Sequence, residues 1–425
     1  MPIEVAHLLL VAIVAISILL MLIRPRGVPE VFWAGGGALL LIALRLIPIR
    51  LAGKAAAEGI DVYLFLIGMM LLSELARENG VFEWVSSVAV RHARGSCSRL
   101  FALIYTVGIV VTVCMSNDAT AVVLTPAVLT AVRRSKVQPL PYLFACAMIA
   151  NAASFVLPIS NPANLVVFHS GMPPLGRWLL SFSVPSLASI AVTFGVLRWY
   201  FRRELCASID CEIERVTLTA NGKLVIGGLA LVIGVLLATS ALDRDLGLPT
   251  CLAALAITVV VSIKNRSNPW KLAKEISWGT VALVAALFIM VDAIESIGAL
   301  RFTQSALAAV QRLTPSVGAS VVAFVVGVGN NLVNNLPLAL IAGSTLAASH
   351  THGLMASAVL IGVDLGPNLS VTGSLATILW LIALRREKLD VSFLDFLKLG
   401  AIAMPVAILA SIAAAIGMQA IMANN

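Results

Sequence analysis

Ser116-Asn117-Asp118-Ala119-Thr120 interrupts an otherwise apolar stretch, with Leu100 to Met115 before it and Ala121 to Val132 after it. An ionisable residue and polar neighbours at membrane depth are costly, so such a group is read first as functional. The design returns as Asn330-Asn331-Leu332-Val333-Asn334-Asn335-Leu336-Pro337. The two stretches read as halves of one solute site, and the rest of the chain as a two-fold scaffold around it.

The composition around them is that of a membrane protein. Sixty per cent apolar residues, 12% charged and a mean hydropathy of +1.00 over 425 residues exclude an ordinary soluble domain. Apolar runs approaching the roughly 20 residues that cross a 30 Å hydrocarbon core recur from end to end. Short alternating segments, the mark of a β-barrel, do not. The net charge of +8 therefore concerns topology and anionic lipid, not nucleic acid. Six cysteines (97, 114, 146, 206, 211 and 251) show no CxxC and no His at zinc spacing. Free thiols in packing are the plain reading, with Cys206 and Cys211 the weak alternative of a soft-metal contact. Met1 to His7 carries Glu4 and no Lys or Arg, while Arg24 and Arg26 follow the first apolar run. That charge order predicts a retained span starting outside, not a signal peptide.

Ten spans are expected, at 5–23, 31–49, 60–76, 139–168, 178–199, 223–241, 248–263, 276–292, 353–383 and 394–422. Regions 100–132 and 316–349 differ. Each has two apolar limbs of about 14 to 16 residues around a polar centre, or about 21 to 24 Å at 1.5 Å per residue. They are expected to be re-entrant hairpins. Threading the spans from an outside start leaves only Arg45, Arg50, Lys54, Arg177, Arg244, Arg301 and Arg312 outside, and the rest of the 29 Lys and Arg inside. This is the positive-inside asymmetry, with both termini on the outer face of a cell inner membrane.

The halves also repeat. Asn117 and Asn334, like Glu78 and Glu295, are 217 residues apart (334 − 117 and 295 − 78). Residues 78–93 read as an interfacial helix, matched by 295–312 on the other side. The predicted organisation is a first repeat over 1–204, a cytoplasmic linker over 205–222 and an inverted second repeat over 223–425. Two helices should break, at Leu157-Pro158-Ile159-Ser160-Asn161-Pro162-Ala163-Asn164 and at Asp364-Leu365-Gly366-Pro367-Asn368 through Ser374, because proline lacks an N–H and clashes with the preceding turn. Inverted repeats with interrupted helices point to a transporter with a midplane site.

Asp118 and Asp364 are the key carboxylates. A central Asp costs roughly 2.5–3.5 kcal/mol on insertion scales, against about 0.3–0.6 returned by a Leu or Val. No Lys or Arg lies in the converging segments, so hydrogen bonding, a sodium ion or a proton must neutralise them. Capping of a half-helix is the structural alternative for either Asp. The neutral candidates are Asn117, Thr120, Ser160, Asn161, Asn164, Asn334, Asn335, Asn368, Ser370, Thr372 and Ser374, with half-helix N-termini adding N–H groups. Such a set suits a small polyol-like or weakly charged solute, or a cation, since a dicarboxylate site would more often include a guanidinium. Helix–helix hydrogen bonding is the bland role for any one Asn. Cys114, two residues before the tip, is a possible contact for a thiophilic solute but reads first as packing. Asp61, Glu74, Asp292 and Glu295 read as solvated or capping, and His350 and His352 as exposed. There is no HExxH, GxSxG, P-loop or GxGxxG, so an enzyme or an ATPase has no support.

Taken together, Ser116-Asn117-Asp118-Ala119-Thr120-Ala121 with Pro126, Asn161-Pro162-Ala163-Asn164, Asn334-Asn335-Leu336-Pro337, Asp364-Leu365-Gly366-Pro367-Asn368 and Gly373-Ser374-Leu375-Ala376-Thr377 resemble the arsenical-pump membrane protein family of the ion transporter superfamily. The resemblance spans essentially the whole chain. It implies an all-α polytopic fold with scaffold and transport domains, and efflux of arsenite and antimonite from the cytoplasm driven by proton entry. It implies no cofactor, a trivalent metalloid as cargo, a proton as the coupling ion, for which the residues themselves offer Asp364 or Asp118, and a soluble arsenite-stimulated ATPase as a possible partner. A sodium/proton antiporter on the same scaffold is the alternative. In the dicarboxylate branch the hairpin tips read Ser-Asn-Thr. Here Asp118 stands in place of that Thr, so that branch's sodium-site roles are not carried over.

Overall fold

The computed structural model describes residues 3–206, 217–266 and 268–423. Cys211 and most of the expected linker lie outside the described residues. Every regular element among them is helical. The first half runs α1 (Ile3–Ile23), α2 (Glu30–Ala43), α3 (Ile49–Glu58), α4 (Ile60–Glu78), α5 (Val81–His92), α6 (Cys97–Cys114), α7 (Thr125–Arg134), α8 (Leu140–Ala152), α9 (Pro162–Val167) and α10 (Leu175–Tyr200). The second runs α11 (Ala220–Ala241), α12 (Gly247–Asn265), α13 (Pro269–Glu275), α14 (Trp278–Ser296), α15 (Leu300–Gln311), α16 (Pro315–Val333), α17 (Asn335–Ala348), α18 (Leu354–Leu365), α19 (Leu375–Arg386) and α20 (Phe393–Ala423). Eight of the described helices are long and apolar enough to cross a membrane, and α3 and α4 form a ninth candidate bent by 48°. The protein is a multi-pass membrane protein.

The order of elements recurs, and so does their packing. α1 and α11 begin 217 residues apart, as do α2 and α12 (220 − 3 and 247 − 30). α4 packs on α12 and α14 on α2; α6 packs on α8 and α16 on α18; α8 packs on α10 and α18 on α20. α10 and α20 form an extensive contact, in which the Ser411 hydroxyl donates to the carbonyl of Pro185, a proline within α10. At the centre, Asn151 Nδ2 donates to Asn368 Oδ1 at 2.9 Å, a bond between residues 217 apart.

One expectation needs correction. The first limbs of the two hairpin regions, α6 and α16, are 18 and 19 residues long, not 14 to 16. The apolar run understates them because polar residues carry the helix onward. Ser96 caps α6 by accepting from Arg99 N, and α16 starts at Pro315, where a missing N–H costs nothing. By length and composition alone both pass as spanning helices. The second limbs are shorter, with 10 residues in α7 and 14 in α17.

The breaks follow the prolines. α8 stops at Ala152, an irregular stretch through Pro158 follows, and the six-residue α9 starts at Pro162. α18 stops at Leu365, before Pro367, and α19 starts after Ser374. Asn161 and Ser374 occupy the same role: both are extended (φ −149° and −148°) and each caps the helix after its break, accepting from Ala163 N and Thr377 N. α5 buries Val81, Phe82, Ser86, Ala89 and Val90 against α6 and α7, as an amphipathic helix should.

Candidate functional site

The first tip is built from local hydrogen bonds. After α6, Ser116 Oγ accepts from Ala119 N at 3.2 Å and Asn117 Oδ1 accepts from Asp118 N at 2.9 Å. Residues Ala119–Leu124 then form a π-helical turn leading into α7. Pro126 explains it: proline cannot donate to, and clashes with, the carbonyl four residues back, so the preceding turn widens. The Thr125 hydroxyl donates to Thr120 O, and the Thr120 and Thr112 hydroxyls pair at 2.8 Å. The second tip turns on Asn334, held at φ 72°, ψ 155°, a region that costs a non-glycine residue about 1–3 kcal/mol. Its side chain caps α17 by accepting from Leu336 N. Pro337 sits in the first turn of α17, where its missing N–H is harmless.

The two tips and the two broken helices meet. A small pocket of about 20 Å³ is lined by Asn117 and Asp118 of the first tip, Asn335 and Leu336 of the second, Asn161 and Pro162 after the first break, and Ser374 to Ala376 after the second. Leu66 of α4 and Thr280 of α14 complete it. It adjoins a cavity of about 160 Å³ that shares Leu66, Asp118, Pro162, Thr280 and Leu375 and runs out to Ser73, Glu74, Glu275 and Ser277. At that mouth Arg77 is paired with both Glu74 and Glu275. On the far side of α9 a second cavity of about 160 Å³ is lined by Glu58, Asp61, His169 and Asp245. There Asp61 accepts from Gly247 N at the start of α12, the capping role expected of it. Between the two cavities stands α9, about 9 Å long at 1.5 Å per residue.

Of the candidate residues, Asn117, Asp118, Asn161, Asn335 and Ser374 line the pocket. The others are turned away and hold its walls, because each break leaves carbonyls and N–H groups that need partners. Thr120 pairs with Thr112. The Ser160 hydroxyl donates to Val113 O, and Asn164 donates to the carbonyls of Ser154, Leu157 and Pro158. Asn334 caps α17, and Asn368 binds Asn151 and Met148 O. Ser370 donates to Asn331 Oδ1 and Thr372 to Asn331 O. Asp364 is 1% exposed and lies one residue behind the pocket, with Oδ1 accepting from Asn161 Nδ2 at 2.6 Å. Cys114 lines neither cavity. Cys206, on the surface, donates to Arg202 O.

Sequence reading missed Leu66 and Thr280, which carry no local signal because they come from a different part of the fold. It also left Asn151, Asn330 and Asn331 without roles. Asn330 donates to Gly362 O and Val363 O, and Asn331 to Gly366 O, so both stitch α16 to the second break. Their place in the second tip motif was the available signal.

A multi-pass helical protein with two hairpin tips and two broken helices meeting at a polar pocket is a membrane transporter. The chain belongs to the CitMHS family, described as citrate transporters, whose model matches residues 9–363. It is 27% identical over 353 residues to an arsenical pump membrane protein of Yersinia enterocolitica, covering 79% of this chain and 81% of that one. It is also 27% identical over 418 residues to the arsenical pump membrane protein of Escherichia coli K12 (92% and 94% covered). An uncharacterised transporter of Mycobacterium tuberculosis is 26% identical over 373 residues (83% and 84%). The resemblance read from the motifs is borne out. The fold is similar to the crystal structure of the Alcanivorax borkumensis YdaH transporter, with a TM-score of 0.57 at 13% identity and 87% of each chain covered.

Proposed function

We propose that this transporter exports arsenite and antimonite, as neutral trihydroxides, from the cytoplasm in exchange for protons by alternating access. The observation that carries the reading is the donor set of the pocket. Amides and hydroxyls of Asn117, Asn161, Asn335, Ser374 and Thr280 surround one carboxylate, Asp118, with no guanidinium or ammonium among the described lining residues. A trihydroxide both donates and accepts hydrogen bonds, as amides and hydroxyls do. A citrate-like anion would meet Asp118, Glu74 and Glu275 with no cation free to receive it, since Arg77 is already engaged by the two glutamates. The similarity to arsenical pump proteins supports the same substrate. On this reading the repeats 1–204 and 223–425 are inverted, the Glu74 and Glu275 mouth faces the cytoplasm of a cell inner membrane, and both termini lie outside. Asp118 and Asp364 carry the proton, and a soluble arsenite-stimulated ATPase would act through the cytoplasmic loops.

Everted vesicles with an acid interior should accumulate arsenite and antimonite only while the gradient lasts. Accumulation that persists without a pH gradient overturns proton exchange, and none under any gradient overturns the substrate. A sodium/proton antiporter is the second reading, favoured by two buried-site carboxylates with no Lys or Arg ion pair among the described residues. Sodium-triggered proton release with no response to arsenite would decide for it.

A further inference from the structure

The cavity on the far side of α9 holds a base that neither Asp118 nor Asp364 accounts for. His169 follows α9 by two residues and lines this cavity of about 160 Å³ together with Glu58, Asp61 and Asp245. Its neighbour dictates the tautomer of the ring. Nδ1 lies 2.9 Å from Val166 O, and a carbonyl oxygen only accepts. Nδ1 therefore carries a proton, and the neutral ring keeps its lone pair on Nε2. Nε2 has no hydrogen-bond partner among the described residues and is not sealed from solvent. The ring also stands edge-on to Phe288 of α14, at 5.7 Å and 84°, and Phe288 stands edge-on to Tyr63 of α4.

The charges that face the ring come from elements other than its own. α3 ends at Glu58, which pairs with Lys54 at 3.8 Å, and α4 opens with Asp61, which accepts from Gly247 N. Asp245 stands just before α12, and α14 adds Asp292, within the field of Glu58, Glu295 and Lys54. Of the helices packed on α9, α17 carries no titratable residue, and Asp364 of α18 binds Asn161 at the opposite end. His169 forms no ion pair among the described residues, so the cavity stands open between the imidazole and the carboxylates. A proton on Nε2 creates an imidazolium facing an excess of negative charge, and an opposite charge approaching to about 4–6 Å favours it. We propose that Nε2 of His169 is a further proton-binding site of the transport cycle, and that its imidazolium, drawn to Glu58 and Asp245, pulls the end of α9 toward α3 and α12 and closes this cavity. The inference rests on the exchange reading for its sidedness alone. On the proposed topology this is the outer face, so an external proton closes it and leaves the other cavity to load solute, the sign that exchange requires.

The test is the labelling rate of Ser170→Cys, which lines the same cavity, by an uncharged maleimide. It uses the purified full-length protein in detergent, in a background without native cysteines and without metalloid. Each rate is divided by that of the same cysteine in a His169→Asn variant at the same pH, which cancels the ionisation of the thiol. Asparagine keeps a donor for Val166 O in the place of Nδ1 and has nothing to titrate. Between about pH 8 and about pH 5.5 the ratio should fall about fivefold as the imidazole charges. His169→Arg, charged throughout, should label slowly at both ends of that range. Glu58→Gln combined with Asp245→Asn should abolish the slowing in acid with His169 intact. A ratio that stays constant or rises in acid overturns the proton site, and a fall that survives the loss of both carboxylates overturns the closure. No flux is read in this experiment, so it and the export proposal can fail independently.

Discussion

Asn161 does two things at once: it caps α9 through Ala163 N and donates to Asp364 Oδ1 at 2.6 Å. The two roles separate by substitution. Asn161→Asp keeps the capping oxygen but sets a second carboxylate against Asp364, and two carboxylates at that separation cannot both stay charged. The expected outcome is near-normal thermal stability in detergent with pH-driven arsenite flux reduced at least tenfold. Asn161→Ala loses both bonds and should also cost about 1–2 kcal/mol of stability through the cap alone. Asn334 and Asn335 offer a matched pair at the second tip. Asn334→Gly relieves a backbone conformation that only glycine adopts freely, so stability should hold or rise by about 1 kcal/mol, with transport retained. Asn335→Ala removes an amide from the pocket and should lower flux without lowering the unfolding temperature. These adjacent asparagines look alike in sequence. Only the turn decides that one side chain caps a helix and the other lines the pocket.

At the scale of elements, the barrier between the two cavities includes a close approach of the second hairpin to α9. A Cβ on Gly343 of α17 would collide with the carbonyl of Val167 at the end of α9. Gly343→Val should therefore push the second hairpin from α9, at about 1–3 kcal/mol of overpacking, and open a leak of small solutes measurable as gradient-independent flux. The approach of α16 to α18 is similar: a Cβ on Gly362 would come within 2.6 Å of Ala323 O, across from the carbonyl that Asn330 binds. The element breaks were legible because proline removes a donor whatever surrounds it. The lengths of α6 and α16 were not, because a helix continues through capped and charged residues that an apolar run leaves out.

For the whole molecule, the expected outcome concerns access from the two faces. In a background without native cysteines, Ser277→Cys should react with an impermeant thiol reagent from the cytoplasmic side and Ser170→Cys from the outer side. Imposed pH gradients should move the two rates in opposite directions. Equal labelling of either position from both faces would exclude alternating access in favour of an open pore. On the proposed alternating-access cycle, the six-residue α9 is the barrier that would separate the solute from one cavity or the other.

By itself the sequence determined that the chain is polytopic and helical, where two helices break, which motifs belong to the site and which family they resemble. Those properties depend on solvent transfer and local backbone chemistry, which neighbouring residues settle among themselves. Only the tertiary structure decided which polar side chains face the pocket. Thr280 and Leu66 arrive there by the packing of distant helices, and Asn164, Asn368, Ser370 and Thr372 are turned into the walls. Each break leaves backbone groups that must find partners in a medium without water, and the nearest asparagines and hydroxyls are used for that first.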